Sequence, residues 1–583
     1  MSKKELMLGN AAVARGFWEG GCTFASSYPG TPSTEVTEFA SEYSELYAEW
    51  APNEKVALES AFGASLAGAR SFAAMKHVGL NVAADPLFTM SYTGVNGGLV
   101  IVVADDPGMH SSQNEQDSRH YAIASKLPMV EPADADECRT FAAAAFELSE
   151  KFDTPVLFRL TTRIAHSRSA VSLEDRTEVS LHEYKKDPGK YVMMPANAKK
   201  RHVDVEARTA AIAEYAADCA FNRIIPGGKI GVIASGICFQ YAREALGDKA
   251  SYLKLGLVNP VSEKLIRDFA ATVDRLIVIE ELDPVIETQV RAMGIPCEGK
   301  ELFTMLGEYS ATMIAASVLG EKTELAEVPA VPGRPPVLCP GCPHRGIFYV
   351  LSKLKLFVSG DIGCYTLGAL APLSALDTTL CMGGSVSGLH GWCKAAGDET
   401  AKKSVAVIGD STFMHSGITG LVNIVYNGSP ATVLILDNSI TGMTGHQQNP
   451  CTGLTLKNTP APAVDLEALC RAVGVKRVRT VDPFDLAACE AALREETAAA
   501  EPSVIIVKRP CALLKSVVAN LKPPVVIDSE KCRRCRACMK IGCPAISFSK
   551  EKGAVIDNTL CVGCGLCKQL CAFGAITDGG EDK

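Results

Sequence analysis

The last stretch of this 583-residue chain carries eight cysteines in two runs, Cys532-x2-Cys535-x2-Cys538-x4-Cys543-Pro544 and Cys561-x2-Cys564-x2-Cys567-x3-Cys571. Three cysteines at x2 spacing form a tight loop whose amide groups can point at sulfur, and a remote fourth closes the ligand set of a 4Fe–4S cluster. Where two such runs occur together, the fourth cysteine of each ligates the other cluster. The spacing therefore assigns Cys532, Cys535, Cys538 and Cys571 to one cluster, and Cys543, Cys561, Cys564 and Cys567 to the other. Zinc needs one group of four cysteines per metal, which two triple-cysteine runs exceed. A module of this kind moves electrons singly, so the chemistry that supplies or consumes them is expected elsewhere in the chain.

At this length roughly three to five domains are expected. A hydrophobic content of 47% with 49 glycines suits packed α/β domains rather than disorder. A net charge of -8 leaves no electrostatic footprint for nucleic acid. The longest apolar run, Gly98 to Ala104, has strand length, so no membrane span is expected. The start, Met1 to Glu5, is charged and lacks the apolar stretch of a signal peptide. A cytoplasmic protein is expected, in which 22 cysteines mean metal ligands or free thiols, not disulfides.

Along residues 1–165, apolar helices (Gly9 to Gly20, Glu54 to Ala73) alternate with buried strands (Leu99 to Ala104, Thr154 to Leu160), the pattern of a parallel sheet covered by helices. Residues 166–225 are more charged and read as a connecting segment with one helix, Val205 to Phe221. A small α/β domain follows over 226–322, with strands Lys229 to Ala234 and Arg275 to Glu280. The proline-rich stretch Val328 to Pro336 predicts a stiff linker. A third α/β domain spans 338–515, with strands Ser404 to Ile408, Ala431 to Leu436 and Ser503 to Val507. A second linker, Leu521 to Pro524, precedes the α+β two-cluster module at 525–583.

Two strands of the third domain end in polar residues. The first runs into Gly409-Asp410-Ser411 and the second into Asp437-Asn438-Ser439-Ile440. Adjacent parallel strands with polar carboxyl ends mark a ligand crevice. The pair resembles the thiamine-diphosphate motif, Gly-Asp-Gly followed by Asn-Asn, with Ser411 for the second Gly and Asp437 for the first Asn. On that resemblance Asp410, Asn438 and the Ile440 carbonyl would ligate Mg²⁺, a small hard ion that prefers six oxygens. Gly409, Ser411 and the turn Cys381-Met382-Gly383-Gly384-Ser385 would lie against the diphosphate. A plain tight turn is the competing account of that glycine pair.

Thr441-Gly442-Met443-Thr444-Gly445-His446-Gln447 then resembles the Thr-Gly-Gly-Gln stretch of 2-oxoacid:ferredoxin oxidoreductases. Within these enzymes, domain order and the x4 cysteine spacing are similar to the large subunit of the indolepyruvate type over essentially the whole chain. The resemblance extends to Cys339-Pro340-Gly341-Cys342-Pro343-His344-Arg345, Gly363-Cys364 and Pro510-Cys511. It implies a third 4Fe–4S cluster near the thiamine, held by Cys339, Cys342, Cys364 and Cys511. The alternative is that Cys339 and Cys342 shape a turn while Cys364 and Cys511 are buried small apolar residues.

In the first domain, Glu59 in Ala57-Leu58-Glu59-Ser60-Ala61 matches the position of the carboxylate that activates the aminopyrimidine ring. Its small apolar neighbours suggest a buried glutamate, costly without a partner; a surface helix glutamate is the alternative. Thr31, in Tyr28-Pro29-Gly30-Thr31-Pro32, resembles the residue of the substrate-side loop. The polar loop Gly108 to Asp117 adds His110 and Gln113 as candidates, unless it merely caps the following helix.

The resemblance implies oxidative decarboxylation of an aryl 2-oxo acid such as indolepyruvate. The acyl group would go to coenzyme A, and two electrons would leave singly through the clusters to an external ferredoxin. It also implies a second, smaller beta subunit and a hetero-oligomer. The basic string Lys531 to Arg536 could dock an acidic ferredoxin or be a solvated face. Open alternatives are the same reaction on another 2-oxo acid, a non-oxidative thiamine decarboxylase with vestigial clusters, and an electron-transfer subunit whose catalytic partner lies elsewhere.

Overall fold

A computed structural model describes residues 3–321, 327–333 and 335–580. The chain divides into two compact units, one up to Val328 and one from Pro329 onward. Met1 and Ser2 of the charged start and Arg334 of the expected linker lie outside the described residues, as do the outermost residues of the two segments expected at 226–322 and 525–583.

The first unit is built on a seven-stranded sheet. In spatial order its strands are Leu257–Asn259, Met129–Val130, Val156–Thr161, Leu99–Asp105, Ser71–Lys76, Phe24–Ser27 and Tyr47–Trp50. All run parallel except Leu257–Asn259, which pairs antiparallel at the edge. The central strands are buried on both faces, which is why they read as unbroken apolar runs.

Several expected boundaries move. The helix begun at Glu54 ends at Leu66, because Gly68 turns left-handed at φ +91°; Ser71 to Ala73 belong to the next strand, Ser71–Lys76. The helix of the connecting segment runs Pro195–Tyr215, starting earlier and stopping earlier than expected. Nor is 166–225 only a connector. Arg168–Ser172 pairs antiparallel with Lys4–Leu8, and Arg223–Ile225 forms the edge of a second, four-stranded sheet with Ala250–Leu255, Ile230–Ser235 and Arg275–Ile279. The small α/β segment also lends Leu257–Asn259 to the first sheet. Ile233, Leu253, Ile266 and Phe269 share one core with Leu58, Met75 and Ile101.

A buried ion network fastens these two parts. Arg119 pairs with Asp117 and with Glu280, each at 2.5 Å, and Arg159 pairs with Asp105 at 2.8 Å and with Glu131. Breaking a buried pair of this kind typically costs about 3–5 kcal/mol.

The second unit holds a six-stranded, all-parallel sheet ordered Thr378–Thr379, Phe357–Gly360, Ser404–Gly409, Thr432–Asp437, Ser503–Lys508 and Arg477–Val481. Two hairpin-like pairs make the cysteine-rich tail, Val526–Ile527 with Ile576–Thr577 and Ile546–Ser549 with Gly553–Ile556. The expected spacer at Leu521 to Pro524 is not free. A Cβ on Gly579 would stand 2.1 Å from the Pro524 carbonyl, and one on Gly563 2.4 Å from that of Pro523. The tail shares a core with the sheet, since Val525, Ile541, Ile546, Leu566 and Ile576 pack with Leu338, Phe348, Leu486 and Val507.

Candidate active site

The functional candidates of the second unit gather at the carboxyl ends of its central strands. Asp410 follows Ser404–Gly409, Asn438 follows the adjacent strand Thr432–Asp437, and Cys511 lies just beyond Ser503–Lys508. Asp410 is buried and accepts from Asn449 Nδ2 at 3.2 Å. Burial, then the neighbouring charge of Asp437, pushes its carboxyl up to about 7. Asn438 Oδ1 accepts from the Ile440 amide at 3.3 Å, so the two lie together. A buried carboxylate, an amide oxygen and a carbonyl are hard oxygen donors of the kind Mg²⁺ takes, and a divalent cation would return Asp410 to its ionised form. The residues present therefore fit the ion. Asp437 is engaged elsewhere, by Lys508 at 3.2 Å and by Ser439.

The glycine turn has a defined shape. Gly383 has φ +82°, and a Cβ there would come 2.6 Å from Ser416 Cβ. The helix Gly384–Ala396 starts at this point and presents its free amides. Asp361, fully buried, accepts from the amides of Ile362, Gly383 and Ser385 at 2.9–3.0 Å. It fixes the turn, and its only signal in the sequence is a strand-end aspartate three residues before Cys364. Gly409 is needed because a Cβ would stand 2.8 Å from the Tyr365 ring.

Two of the four isolated cysteines adjoin Asn438. The Cys511 amide donates to the Asn438 carbonyl at 2.9 Å. Cys364 Sγ lies 3.5 Å from where a Gly442 Cβ would be, with Asn438 Nδ2 at 3.9 Å from the same point. Cys339 and Cys342 close a turn through the Cys342 amide and the Cys339 carbonyl at 3.1 Å. Burial pushes the Cys342 thiol up to about 12 and the Cys364 thiol up to about 11, and neighbouring cysteines, Cys339 among them for both, add to the rise. His344, fully buried and held by burial at about 4, is neutral and accepts from Asn438 Nδ2 at 3.5 Å. Its part in orienting Asn438, like that of Asn449 at Asp410, left no trace in the spacing.

In the tail, Cys532, Cys535, Cys538 and Cys571 line one cavity, and Cys543, Cys561, Cys564 and Cys567 line another. These are the two sets that the spacing assigns. The Ala575 amide donates to Cys571 Sγ at 3.2 Å, the kind of bond that a cluster thiolate receives. The x4 spacing passes through Gly542, left-handed at φ +67°, whose carbonyl accepts from Arg345. Pro340, Gly341 and Arg345 complete the wall of the Cys543 cavity, so the Cys339–Cys342 turn lies between two cysteine sets. The first cavity opens among exposed Arg533, Arg534 and Arg536. Among the described residues no three His, Cys, Asp or Glu side chains converge at single-ion distance. The two tail sets instead ring cavities.

The first unit changes one expectation. Glu59 is not buried. The core face of its helix is Glu54, Ala57, Leu58, Ala61 and Ser65, and Glu59 points away from it, 45% exposed and paired with Lys55. His110 is half exposed and pairs with Glu308 at 3.0 Å, beside Arg163, while Gln113 is exposed. The same loop reaches the Thr31 carbonyl through Ser111 Oγ at 3.4 Å. Lys76, at the carboxyl end of Ser71–Lys76, donates to the Ser111 carbonyl at 2.6 Å, and its stem lies 3.1 Å from where a Gly30 Cβ would be.

Three family models match the chain in order. Residues 15–218 match the thiamine-diphosphate-binding part of pyruvate flavodoxin/ferredoxin oxidoreductases. Residues 361–507 match the C-terminal binding domain of thiamine pyrophosphate enzymes, and residues 554–577 a 4Fe–4S binding domain. Indolepyruvate oxidoreductase subunit IorA of Archaeoglobus fulgidus is 41% identical over 98% of this chain and 97% of its own. The chain belongs to the IorA family of thiamine-diphosphate-dependent 2-oxoacid:ferredoxin oxidoreductases. IorA of Pyrococcus horikoshii and of Methanothermobacter thermautotrophicus are each 39% identical, over 98% and 99% of this chain and 96% and 98% of theirs. As a member the chain is an oxidoreductase with thiamine-diphosphate-binding domains and a 4Fe–4S domain. No helix among its described residues is long and apolar enough to cross a membrane.

Proposed function

We propose that this chain is the large subunit of an indolepyruvate:ferredoxin oxidoreductase, which decarboxylates aryl 2-oxo acids oxidatively to acyl-CoA and passes the electrons to ferredoxin. The observation that carries this is that Cys364 and Cys511 adjoin Asn438, which ends the strand next to that of Asp410, at the carboxyl edge of one parallel sheet. A carbon-centred redox step and an electron acceptor are then neighbours. Thiamine diphosphate, when bound, supplies the carbon nucleophile that adds to a 2-oxo acid and the electron sink that releases carbon dioxide.

Asp410, Asn438 and the Ile440 carbonyl hold the Mg²⁺ that carries the diphosphate, and Asn449 and His344 orient them. Gly383, Gly384 and the following helix amides receive the diphosphate itself, while Gly409 and Ser411 line the turn beside it. Glu59 would accept a hydrogen bond from the aminopyrimidine ring, in place of its present partner Lys55. Thr31 lies at the substrate carbonyl. Ferredoxin, an acidic partner, would meet the arginine rim of the cavity formed by Cys532, Cys535, Cys538 and Cys571. A smaller beta subunit completes a cytoplasmic hetero-oligomer. His110, turned toward Glu308, has no role in this scheme.

The test is reduction of ferredoxin by the co-purified complex, supplied with coenzyme A and either indolepyruvate, pyruvate or 2-oxoglutarate. Indolepyruvate should give the highest kcat/KM, and acyl-CoA should form with it. Aldehyde in place of acyl-CoA would establish non-oxidative chemistry, and a purified complex without thiamine diphosphate would leave only electron transfer. Iron near eight atoms per chain instead of about twelve would remove the third cluster.

A further inference from the structure

Arg345 is the first-turn residue of the helix His344–Leu354 and only 2% exposed. All its described hydrogen bonds go to carbonyl oxygens, those of Leu338, Cys339, Ile541 and Gly542. Among the described residues no carboxylate pairs with it. Removing a cation from water without a counter-charge is costly. The side chain itself walls the cavity ringed by Cys543, Cys561, Cys564 and Cys567. It thus links two cysteine sets, bonding the Cys339 carbonyl in the sheet domain and lining the cavity in the tail.

We propose that Arg345 is the fixed counter-ion of the cluster held by Cys543, Cys561, Cys564 and Cys567, and that it raises that cluster's reduction potential. One electron arriving from the thiamine side adds one negative charge to the cluster and its four thiolates. A guanidinium in the cavity wall, always protonated and shielded from water, stabilises that added charge more than it stabilises the oxidised state. Net local charge is one of the levers that set cluster potentials. Arg345 is therefore a positioning and tuning residue, not a ligand. The x4 spacing acquires a reason, since it places the Gly542 carbonyl on the same guanidinium.

The inference rests on the reading that the tail cysteines bind clusters, so iron and sulfide per chain are measured first in the unaltered complex. Absence of four-iron clusters there would sink that reading and the role of Arg345 with it, whereas clusters present with an unmoved midpoint would sink the role of Arg345 alone. The test is a redox titration of the complex, followed by electron paramagnetic resonance, for Arg345→Gln and Arg345→Lys. Arg345→Gln should keep its iron. At a fixed potential its ratio of reduced to oxidised tail cluster should fall about tenfold, which is 59 mV for a one-electron couple. Arg345→Lys should stay within about threefold of the unaltered protein. An unchanged midpoint in fully loaded Arg345→Gln overturns the proposal, as does an equal fall in both variants. If Arg345→Gln loses iron while Arg345→Lys keeps it, charge is again the deciding property and the proposal stands. Loss from both assigns Arg345 to clamping of the backbone and overturns it.

Discussion

Single residues show where this chain gives up stability for chemistry. Lys76 is 8% exposed, and burial draws its ammonium down to about 8 against the opposing charge of Asp106. A lysine held below its unfolded value disfavours the fold in its charged form. The cost is therefore absent above pH 10.5, grows as pH falls toward 8, and is complete at pH 7, where it is on the order of 3 kcal/mol. Lys76→Met should accordingly be more stable than the unaltered protein at pH 7, with the gap closing between pH 8 and 10.5. Urea unfolding at pH 7 and 10 checks this, and a gap that does not change with pH would refute it. Asp361 sits at the opposite extreme, a buried carboxylate accepting three amides. Asp361→Ala leaves those amides unpaired and should cost about 3 kcal/mol or more, read by the same unfolding assay, with thiamine diphosphate affinity falling as the Gly383 turn loosens.

At the scale of elements, the strands were the most legible part. Leu99–Asp105, Ser404–Gly409 and Thr432–Asp437 are buried on both faces, so apolar runs of strand length mark them and their ends mark the ligand edge. Helix ends were less legible. The helix from Glu54 stops at Leu66 because of one left-handed glycine, while its sequence continues in small apolar residues that suit the next strand equally well. The burial of Glu59 was misjudged for a related reason. Alanines and glycines all round a helix blur which face is the core, and Glu59 lies on the outer one. The glycine turn gives the clearest prediction at this scale. Gly383→Ala must strain a φ of +82° and meet Ser416 at 2.6 Å, at a cost of about 1–3 kcal/mol. Differential scanning calorimetry should show a lower Tm, and isothermal titration a weaker affinity for thiamine diphosphate with Mg²⁺.

At the scale of the whole molecule, the tail is not an appended bead. Ile541, Ile546, Leu566 and Ile576 complete a core with Phe348, Leu486 and Val507, and Gln569 bonds the Phe484 carbonyl at 2.7 Å and the Leu486 amide at 3.2 Å. A chain cut after Asn520 would expose that apolar face. It should aggregate or bind a hydrophobic dye strongly, whereas a truly separate module would leave a soluble remainder; gel filtration of the truncated chain distinguishes the two. The small α/β segment of the first unit is likewise interleaved, giving Leu257–Asn259 to the larger sheet and Glu280 to the Arg119 network.

What the chain's order of residues determined alone is whatever depends on local spacing: the two tail cysteine sets, the strand-end Asp410 and Asn438, and the alternation of strands and helices. Local geometry governs these, because a tight cysteine loop or a buried strand is specified within a few residues. Tertiary structure alone decided the rest. It brought Cys364 and Cys511 beside Asn438, set Asp361 and Asn449 behind the turn and the carboxylate, paired His110 with Glu308, and buried Arg345 among cysteines from distant parts of the chain. Those relations rest on side chains far apart in sequence meeting in a packed interior, where burial and missing counter-charges set the energies, and no spacing records them.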